Sequence, residues 1–401
     1  MEDRKIGRAG QIIAVTLYKL LLNTGRRFVY PFAPALSREL EVPLTAVTSI
    51  IATSQMTSIL GLFSGPLADR LGYRVVMRAG LAMLAAGMLL CGLVPTYWPV
   101  FIGLVVASFG KTVFDPAIQA FIGKNVPFER RGRIVGAVET AWAGSTLIGI
   151  PALGLIIDHV GLRSSFFLLA LLGALGWLSI SRIIPADEEK SALKKPSQGL
   201  LSILAQLLRV RSAAGMLGFG FLISLANDCL FVVYGAWFEQ EFKVSLVVLG
   251  FSTVAIGAAE LIGESMTAFI SDRLGLKKSI VIGLILATLS YLMLPYVGQT
   301  LTMAMVGMFC VFLSFEFTVV TSCSLCTELM PQARATMMAG FFATSGVGRM
   351  IGVLIGGTLW QVGGIITVAW TAAVLTLLGL LSLFWGLSGW HPGRNEEETI
   401  A

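Results

Sequence analysis

Long apolar stretches, each close to the length of one membrane crossing, follow one another along almost the whole chain. Twelve can be marked, centred near residues 22, 55, 85, 109, 145, 173, 223, 258, 288, 313, 348 and 376. A helix that crosses a bilayer takes roughly 20 mostly apolar residues. None of the stretches alternates apolar and polar positions as a barrel strand does. The pattern therefore predicts an all-α integral membrane protein with twelve transmembrane helices. Polar interruptions are short, the longest being IPADEEKSALKKPSQG at 184–199. It runs into LLSILAQLLRVRS at 200–212, whose mixture of apolar and basic positions predicts a helix lying along a membrane surface.

The twelve stretches repeat as two sets of six. DRLG occurs at 69–72 and again at 272–275, and VPFERRGRIVG at 126–136 lines up with MPQARATMMAG at 330–340. Asn23 and Tyr30 correspond to Asn227 and Tyr234, and Gly149, Gly154 and Gly161 to Gly352, Gly357 and Gly364. Every one of these pairs is separated by 203 or 204 positions. A single offset held over separate segments signals an internal repeat. The expected organisation is a six-helix bundle over 1–184, a linker with an amphipathic helix over 185–212, and a pseudo-symmetric six-helix bundle over 213–401.

Composition agrees: 56% of residues are hydrophobic and 13% charged, against about 25% charged in soluble domains. The net charge of +6 calls for no nucleic-acid partner, because its placement follows the membrane. With both termini set inside, most of the 29 Lys and Arg fall on inner segments. Only Arg38, Arg163 and Lys243 fall outside, and Lys19, Arg26, Arg27, Lys111 and Arg349 lie within apolar stretches. That bias places both termini in the cytoplasm. The opening MEDRKIGRAGQ lacks a small-residue cleavage site after a short apolar core, which predicts an uncleaved first span. The five cysteines all lie in apolar segments, and CSLC at 323–326 has no second pair and no histidine nearby. They read as packing residues, with neither metal nor cofactor expected.

Charged side chains inside a bilayer cost about 2.5–3.5 kcal/mol each on insertion scales, so they face an internal cavity and mark function. In the first stretch Lys19, Asn23, Arg26, Arg27 and Tyr30 share one helical stripe, with Pro31 and Pro34 expected to break or bend the helix just beyond. Lys111 and Asp115 are one turn apart in the fourth stretch, with Gln119 extending their face, and Glu139 lies in the fifth. The second half offers Asn227, Asp228, Tyr234, Glu260, Glu264, Glu316 and Arg349. Cations outnumber anions four to two in the first half, and anions outnumber cations four to one in the second. A cavity between the halves would be bipolar: it could bind an anion or a zwitterion, or the halves could pair with each other when one end closes. Gly348, Gly352 and Gly356 recur every four residues, which predicts close helix packing rather than a nucleotide loop.

GPLADRLGYRVVM at 65–77, weakly echoed by ISDRLGLKKSI at 270–280, closely resembles the signature loop between helices 2 and 3 of the major facilitator superfamily. With the six-plus-six repeat, the resemblance covers essentially the whole chain. Within that superfamily the chain looks most like twelve-helix drug:proton antiporters and arabinose-efflux-permease-like proteins. It departs from their fifth-helix glycine-proline element, reading GIPALGL at 149–155, and offers Lys111 where the fourth helix usually carries an arginine. The resemblance implies that helices 1, 4, 7 and 10 line a central cavity. It also implies a gate built from Gly65, Asp69, Arg70, Gly72 and Arg74 and their echo Asp272, Arg273 and Gly275. Asp69 would face the N-terminus of helix 11, and Arg70 and Arg74 would pair with acids such as Glu129.

The function so implied is secondary active transport by alternating access, with proton-coupled export of small amphipathic or organic compounds. A buried carboxylate can bind and release a proton near neutrality. The candidate carriers are Asp115, Glu139, Asp228, Glu260, Glu264 and Glu316, with Glu316 and Asp115 preferred. Expected substrate ligands are Lys19, Asn23, Arg26, Arg27, Tyr30, Lys111, Gln119, Asn227, Tyr234 and Arg349. The rival is a carrier or flippase for anionic, zwitterionic or lipid-like substrates held by the helix-1 arginines. A non-transporting membrane sensor is more remote, and nothing in the chain pairs a nucleophile with a base as an enzyme would. The expected partners are a small-molecule substrate, protons and the lipid bilayer, for a monomer in a prokaryotic cytoplasmic membrane.

Overall fold

In lipid no water is present to satisfy a free N–H or C=O, so apolar segments of this length close their hydrogen bonds within themselves as helices. The computed structural model describes residues 8–126, 128–185, 207–330 and 334–389. Among them every regular element is helical. The first half holds α1 (Arg8–Arg27), α2 (Ala33–Glu39), α3 (Leu44–Leu71), α4 (Tyr73–Leu93), α5 (Tyr97–Asn125), α6 (Phe128–Glu139), α7 (Ala141–Gly144), α8 (Ile150–Val160) and α9 (Leu162–Ile183). The second holds α10 (Arg211–Phe231), α11 (Tyr234–Phe242), α12 (Leu246–Met266), α13 (Asp272–Leu274), α14 (Leu276–Val297), α15 (Leu301–Leu329) and α16 (Arg334–Gly386). Short π-helical turns at Ser145–Gly149 and Thr267–Ser271 join α7 to α8 and α12 to α13. Nine helical segments among the described residues are long and apolar enough to cross a membrane.

The surface is apolar and the interior partly polar, the reverse of a soluble protein. Trp98, Phe269 and Val362 are exposed, while Lys19, Asn23, Arg27, Asp228 and Glu260 are buried. As the two prolines predict, α1 stops at Arg27 and the chain restarts as α2, with Pro34 in its first turn. Of the expected surface helix over 200–212, residues 200–206 lie outside the described residues, and Leu207 is buried.

The internal repeat is visible in the backbone. Gly72 and Gly275 carry φ of 88° and 85° at equivalent turns, a conformation open almost only to glycine. Gly161 and Gly364 form a second such pair, and the non-glycine residues Glu41 and Lys243 a third. At Gly363 and Gly364 the backbone leaves helical geometry, so α16 is two helices meeting at a kink.

Most packing stays within one half of the chain. Helix α4 lies against α5 and α9, and α3 against α5; in the second half α10 lies along α16, and α15 between α12 and α14. Gly348, Gly352 and Gly356 bring α16 onto the backbone of Phe221, Leu225 and Cys229 of α10, one contact per turn, as their spacing predicts. The main contacts between the halves are α3 with α16 and α12 with both α8 and the π-helical turn Ser145–Gly149, and a third, smaller contact joins α2 to α11. At the second, a Cβ added to Gly154 or Gly250 would lie 3.1 Å from the other glycine's Cα. At the third, Arg38 pairs with Glu239 at 2.6 Å and Pro31 lies on Gly235.

Candidate functional site

Arg27 is the last residue of α1, and Glu260 lies in α12, so their meeting joins the two halves. The guanidinium grips the carboxylate with both terminal nitrogens, Nη2 to Oε1 at 2.5 Å and Nη1 to Oε2 at 3.3 Å. The side chains are only 4% and 2% exposed. Two more donors complete the carboxylate: Trp142 Nε1 at 3.1 Å and Thr146 Oγ1 at 3.0 Å. Arg27 in turn donates to the Trp142 carbonyl at 3.0 Å and lies 4.0 Å above the Trp142 ring. A buried pair repays its desolvation only with this degree of additional hydrogen bonding. Ser145 and Thr146, which serve it, sit in a π-helical turn, a distortion frequent at functional sites.

A second chain of contacts runs beside the first. Arg26 donates to Gln55 Oε1 at 2.5 Å and Ser58 Oγ at 2.6 Å. Gln55 Nε2 donates to the Tyr30 hydroxyl at 2.5 Å, and Tyr30 donates to Asp228 Oδ1 at 2.9 Å. Asp228 Oδ2 accepts no hydrogen bond, and Arg349 Nε stands 3.9 Å from it. The two neighbouring arginines thus differ in kind: Arg27 has a carboxylate of its own, whereas the hydrogen-bond partners of Arg26 are neutral.

Lys19 pairs with Glu139 at 2.6 Å, and Gln119 reaches the same carboxylate only at 3.5 Å. Lys111 holds Asp115 at 2.6 Å across one helical turn. Trp142 gathers three cations, with Lys111 Nζ at 5.7 Å and Arg349 Cζ at 5.9 Å in addition to Arg27. Asn23 and Asn227 are buried, and both polar atoms of the Asn23 amide lack a partner. Tyr234, the counterpart of Tyr30, stacks on Phe231 at 5.6 Å and holds no carboxylate. Glu264 and Glu316 are half-buried and, among the described residues, form neither ion pair nor hydrogen bond. Gly263 lets α12 press against α15 at the Cβ of Glu316, and the charges facing that acid are Glu260, Glu264, Arg349 and Arg27.

Of the expected gate, Gly72 and Gly275 make the two positive-φ turns, Arg74 is half-buried and Arg273 exposed. Gly65, Asp69, Arg70, Glu129 and Asp272 lie in helices, but their side chains fall outside the described residues. The structure adds Gln55, Ser58, Ser145, Thr146 and Trp142 to the site. Gln55 carried a legible signal, a lone amide within IIATSQMTSIL. The hydroxyls carried none, since Ser and Thr are ordinary in membrane helices, where they satisfy their own backbone.

The sequence profile described as Major Facilitator Superfamily matches residues 15–224 and again 216–399. An uncharacterized MFS-type transporter of Bacillus subtilis, YceJ, is 22% identical over 342 residues, covering 85% of this chain and 87% of its own. The multidrug resistance protein MdtG of Salmonella arizonae is 25% identical over 286 residues, covering 68% of this chain and 70% of its own. Among solved structures, a bacterial homolog of the human lysosomal transporter Spinster, in an inward-facing and unoccupied conformation, superimposes with a TM-score of 0.71. It is 14% identical, covering 94% of this chain and 95% of that one. The repeated profile match spans nearly every residue from 15 to 399, and the chain is a multi-pass membrane protein that belongs to the major facilitator superfamily.

Proposed function

We propose that this protein is a proton-coupled secondary transporter that exports small amphipathic or organic compounds by alternating access. The observation that carries the proposal is the Arg27–Glu260 pair, a buried, bidentate ion pair whose carboxylate also accepts from Trp142 and Thr146 and whose partners belong to opposite halves of the chain. Such a pair holds one end of the molecule shut and must part when that end opens. The halves, 1–184 and 213–401, then act as two six-helix bundles rocking about the site between them. Twelve spans are reached by adding to the nine apolar segments: Thr336–Gly386 is taken as two across its kink, and α1 with α2, and α3, are taken as the remaining pair. Both termini lie in the cytoplasm of a prokaryote, and the protein works as a monomer in its cytoplasmic membrane. The contacts at Arg38–Glu239 and Pro31–Gly235 then close the outer end, and the described state is inward-facing, like the Spinster homolog that it resembles.

Glu316 is the proposed proton carrier. Asp115, Glu139 and Glu260 are each held by a cation at 2.6 Å or less, so a proton must compete with that cation for them. Glu316 has no such rival: Arg349 and Arg27 act on it without forming an ion pair. The rival reading, a carrier for anionic, zwitterionic or lipid-like substrates, gains from the neutral surroundings of Arg26. The test is transport of dye substrates in everted vesicles with an imposed pH gradient. Wild type should accumulate dye as protons leave the vesicle. Glu316→Gln should still equilibrate dye but no longer accumulate it. Full accumulation by Glu316→Gln removes the proton assignment, and no protein-dependent flux in wild type removes the transporter reading.

A further inference from the structure

The ion pairs leave one region of the interior unbalanced. The cations acting on Asp228 are Arg349, Arg26 and Arg27, and Arg26 and Lys111 also face Asp115. Glu316, the other acid that Arg349 acts on, forms no ion pair with it. Lys111 takes Asp115 for itself. Arg26 and Arg349 are left to share Asp228, and neither holds it well. Arg26 faces it only through Gln55 and Tyr30, while Arg349 stands at 3.9 Å, beyond hydrogen-bond range. Asp228 is 1% exposed, yet its Oδ2, the oxygen nearest Arg349, accepts no hydrogen bond. Arg349 remains 27% exposed, so its side chain is accessible to a small molecule. Arg27 does not relieve the imbalance, because Glu260 neutralises it.

We infer that Arg26 and Arg349 form the two sides of an organic-anion subsite, in which Asp228 is an internal counter-ion competing with the carboxylate or phosphate group of the carried molecule. A guanidinium is planar and offers paired donors to such a group, and Arg349 has left its donors uncommitted to Asp228. The apolar part of the ligand has a surface to meet: the Trp142 ring lies 5.9 Å from the Arg349 guanidinium, and Phe231 stacks on Tyr30 at 4.4 Å. The other groups facing Asp228 are Arg27 at the end of α1, Tyr30 in the turn that follows, Cys229 beside it and Tyr291 from α14. None of them supplies a second acid. An aromatic or aliphatic acid therefore fits where a lipophilic amine would meet two like charges.

The inference rests on the transporter reading for the word "carried", but it is measured by binding without flux, so the two can fail separately. Thermal unfolding of the purified full-length protein would be followed with matched probes: phenylacetate, phenethylamine and phenylethanol, and indoleacetate with tryptamine. The acids should raise the unfolding midpoint by several degrees and the amines and alcohol should not. Arg26→Gln and Arg349→Gln should each abolish the shift, while Arg26→Lys and Arg349→Lys keep part of it and report on folding. Asp228→Asn, which removes the competitor, should bind the acids about tenfold more tightly. Stabilisation by the amines in preference to the acids overturns the subsite. So does an acid shift that survives both glutamine variants, weaker acid binding in Asp228→Asn, or no shift with any acid in wild type.

Discussion

Arg26 and Arg27 are adjacent and chemically identical, yet the fold gives them different tasks. Arg27 points across to Glu260, and Arg26 points to α3, where Gln55 and Ser58 receive it. Removing one partner of a buried pair strands the other, at about 3–5 kcal/mol, whereas replacing both by apolar residues of similar size is often neutral or stabilising. Arg27→Met or Glu260→Met alone should therefore lower the unfolding midpoint markedly, and the double variant should recover it. If the pair is the proposed tie between halves, the double variant should still transport poorly, because a contact that forms and breaks during the cycle has been replaced by one that does not discriminate. Calorimetry on the purified variants and vesicle uptake read these two properties independently. A midpoint for the double variant as low as for the singles would show that Trp142 and Thr146 need the charges to stay in place.

Helix packing is where small residues decide. Gly348, Gly352 and Gly356 each meet one backbone segment of α10, at Phe221, Leu225 and Cys229. The helices approach so closely that no side chain fits between them, and close approach is the main source of helix association in lipid. Gly352→Leu should force α10 and α16 apart and destabilise the protein by about 1–3 kcal/mol, as overpacking does. Arg349 lies on the neighbouring turn of α16, so the same substitution should weaken whatever Arg349 binds. Gly364→Leu, at the kink itself and with nothing near the added side chain, should disturb the backbone but leave the Arg349 site in place. Unfolding midpoints and probe binding measured on both variants check the contrast.

For the whole molecule, the two halves touch at α2–α11, α8–α12 and α3–α16. The contacts at the α1 end, Arg38 with Glu239 and Pro31 with Gly235, are the ones that the proposed rocking must open. Arg38 is more than half exposed, so its ion pair is worth little energetically but is convenient for a covalent tie. Arg38→Cys with Glu239→Cys, joined by a short thiol-cleavable cross-linker in a Cys310→Ser background, should stop transport, and cleavage should restore it. Each single cysteine variant should transport normally after the same treatment. Unaltered flux through the cross-linked double variant would exclude opening at this end.

The apolar pattern, the 203-to-204 offset and the loop GPLADRLGYRVVM were enough to read a helical membrane protein, its internal repeat and its superfamily, because all three depend on local composition and order. The break after Arg27 was legible from Pro31 and Pro34, and the close packing of α16 from the spacing of its glycines. The charges within the membrane were legible as a set, since an ionisable residue in an apolar run has no other explanation. Their partners were not. Sequence spacing pairs Lys111 with Asp115, which lie on one helix face, but Arg27 and Glu260 are more than two hundred positions apart. Only the meeting of α1 and α12 decides that they touch. The same meeting leaves Arg26 among neutral groups and Asp228 between two arginines, because burial, distance and the competition among neighbouring charges exist only once the helices are side by side.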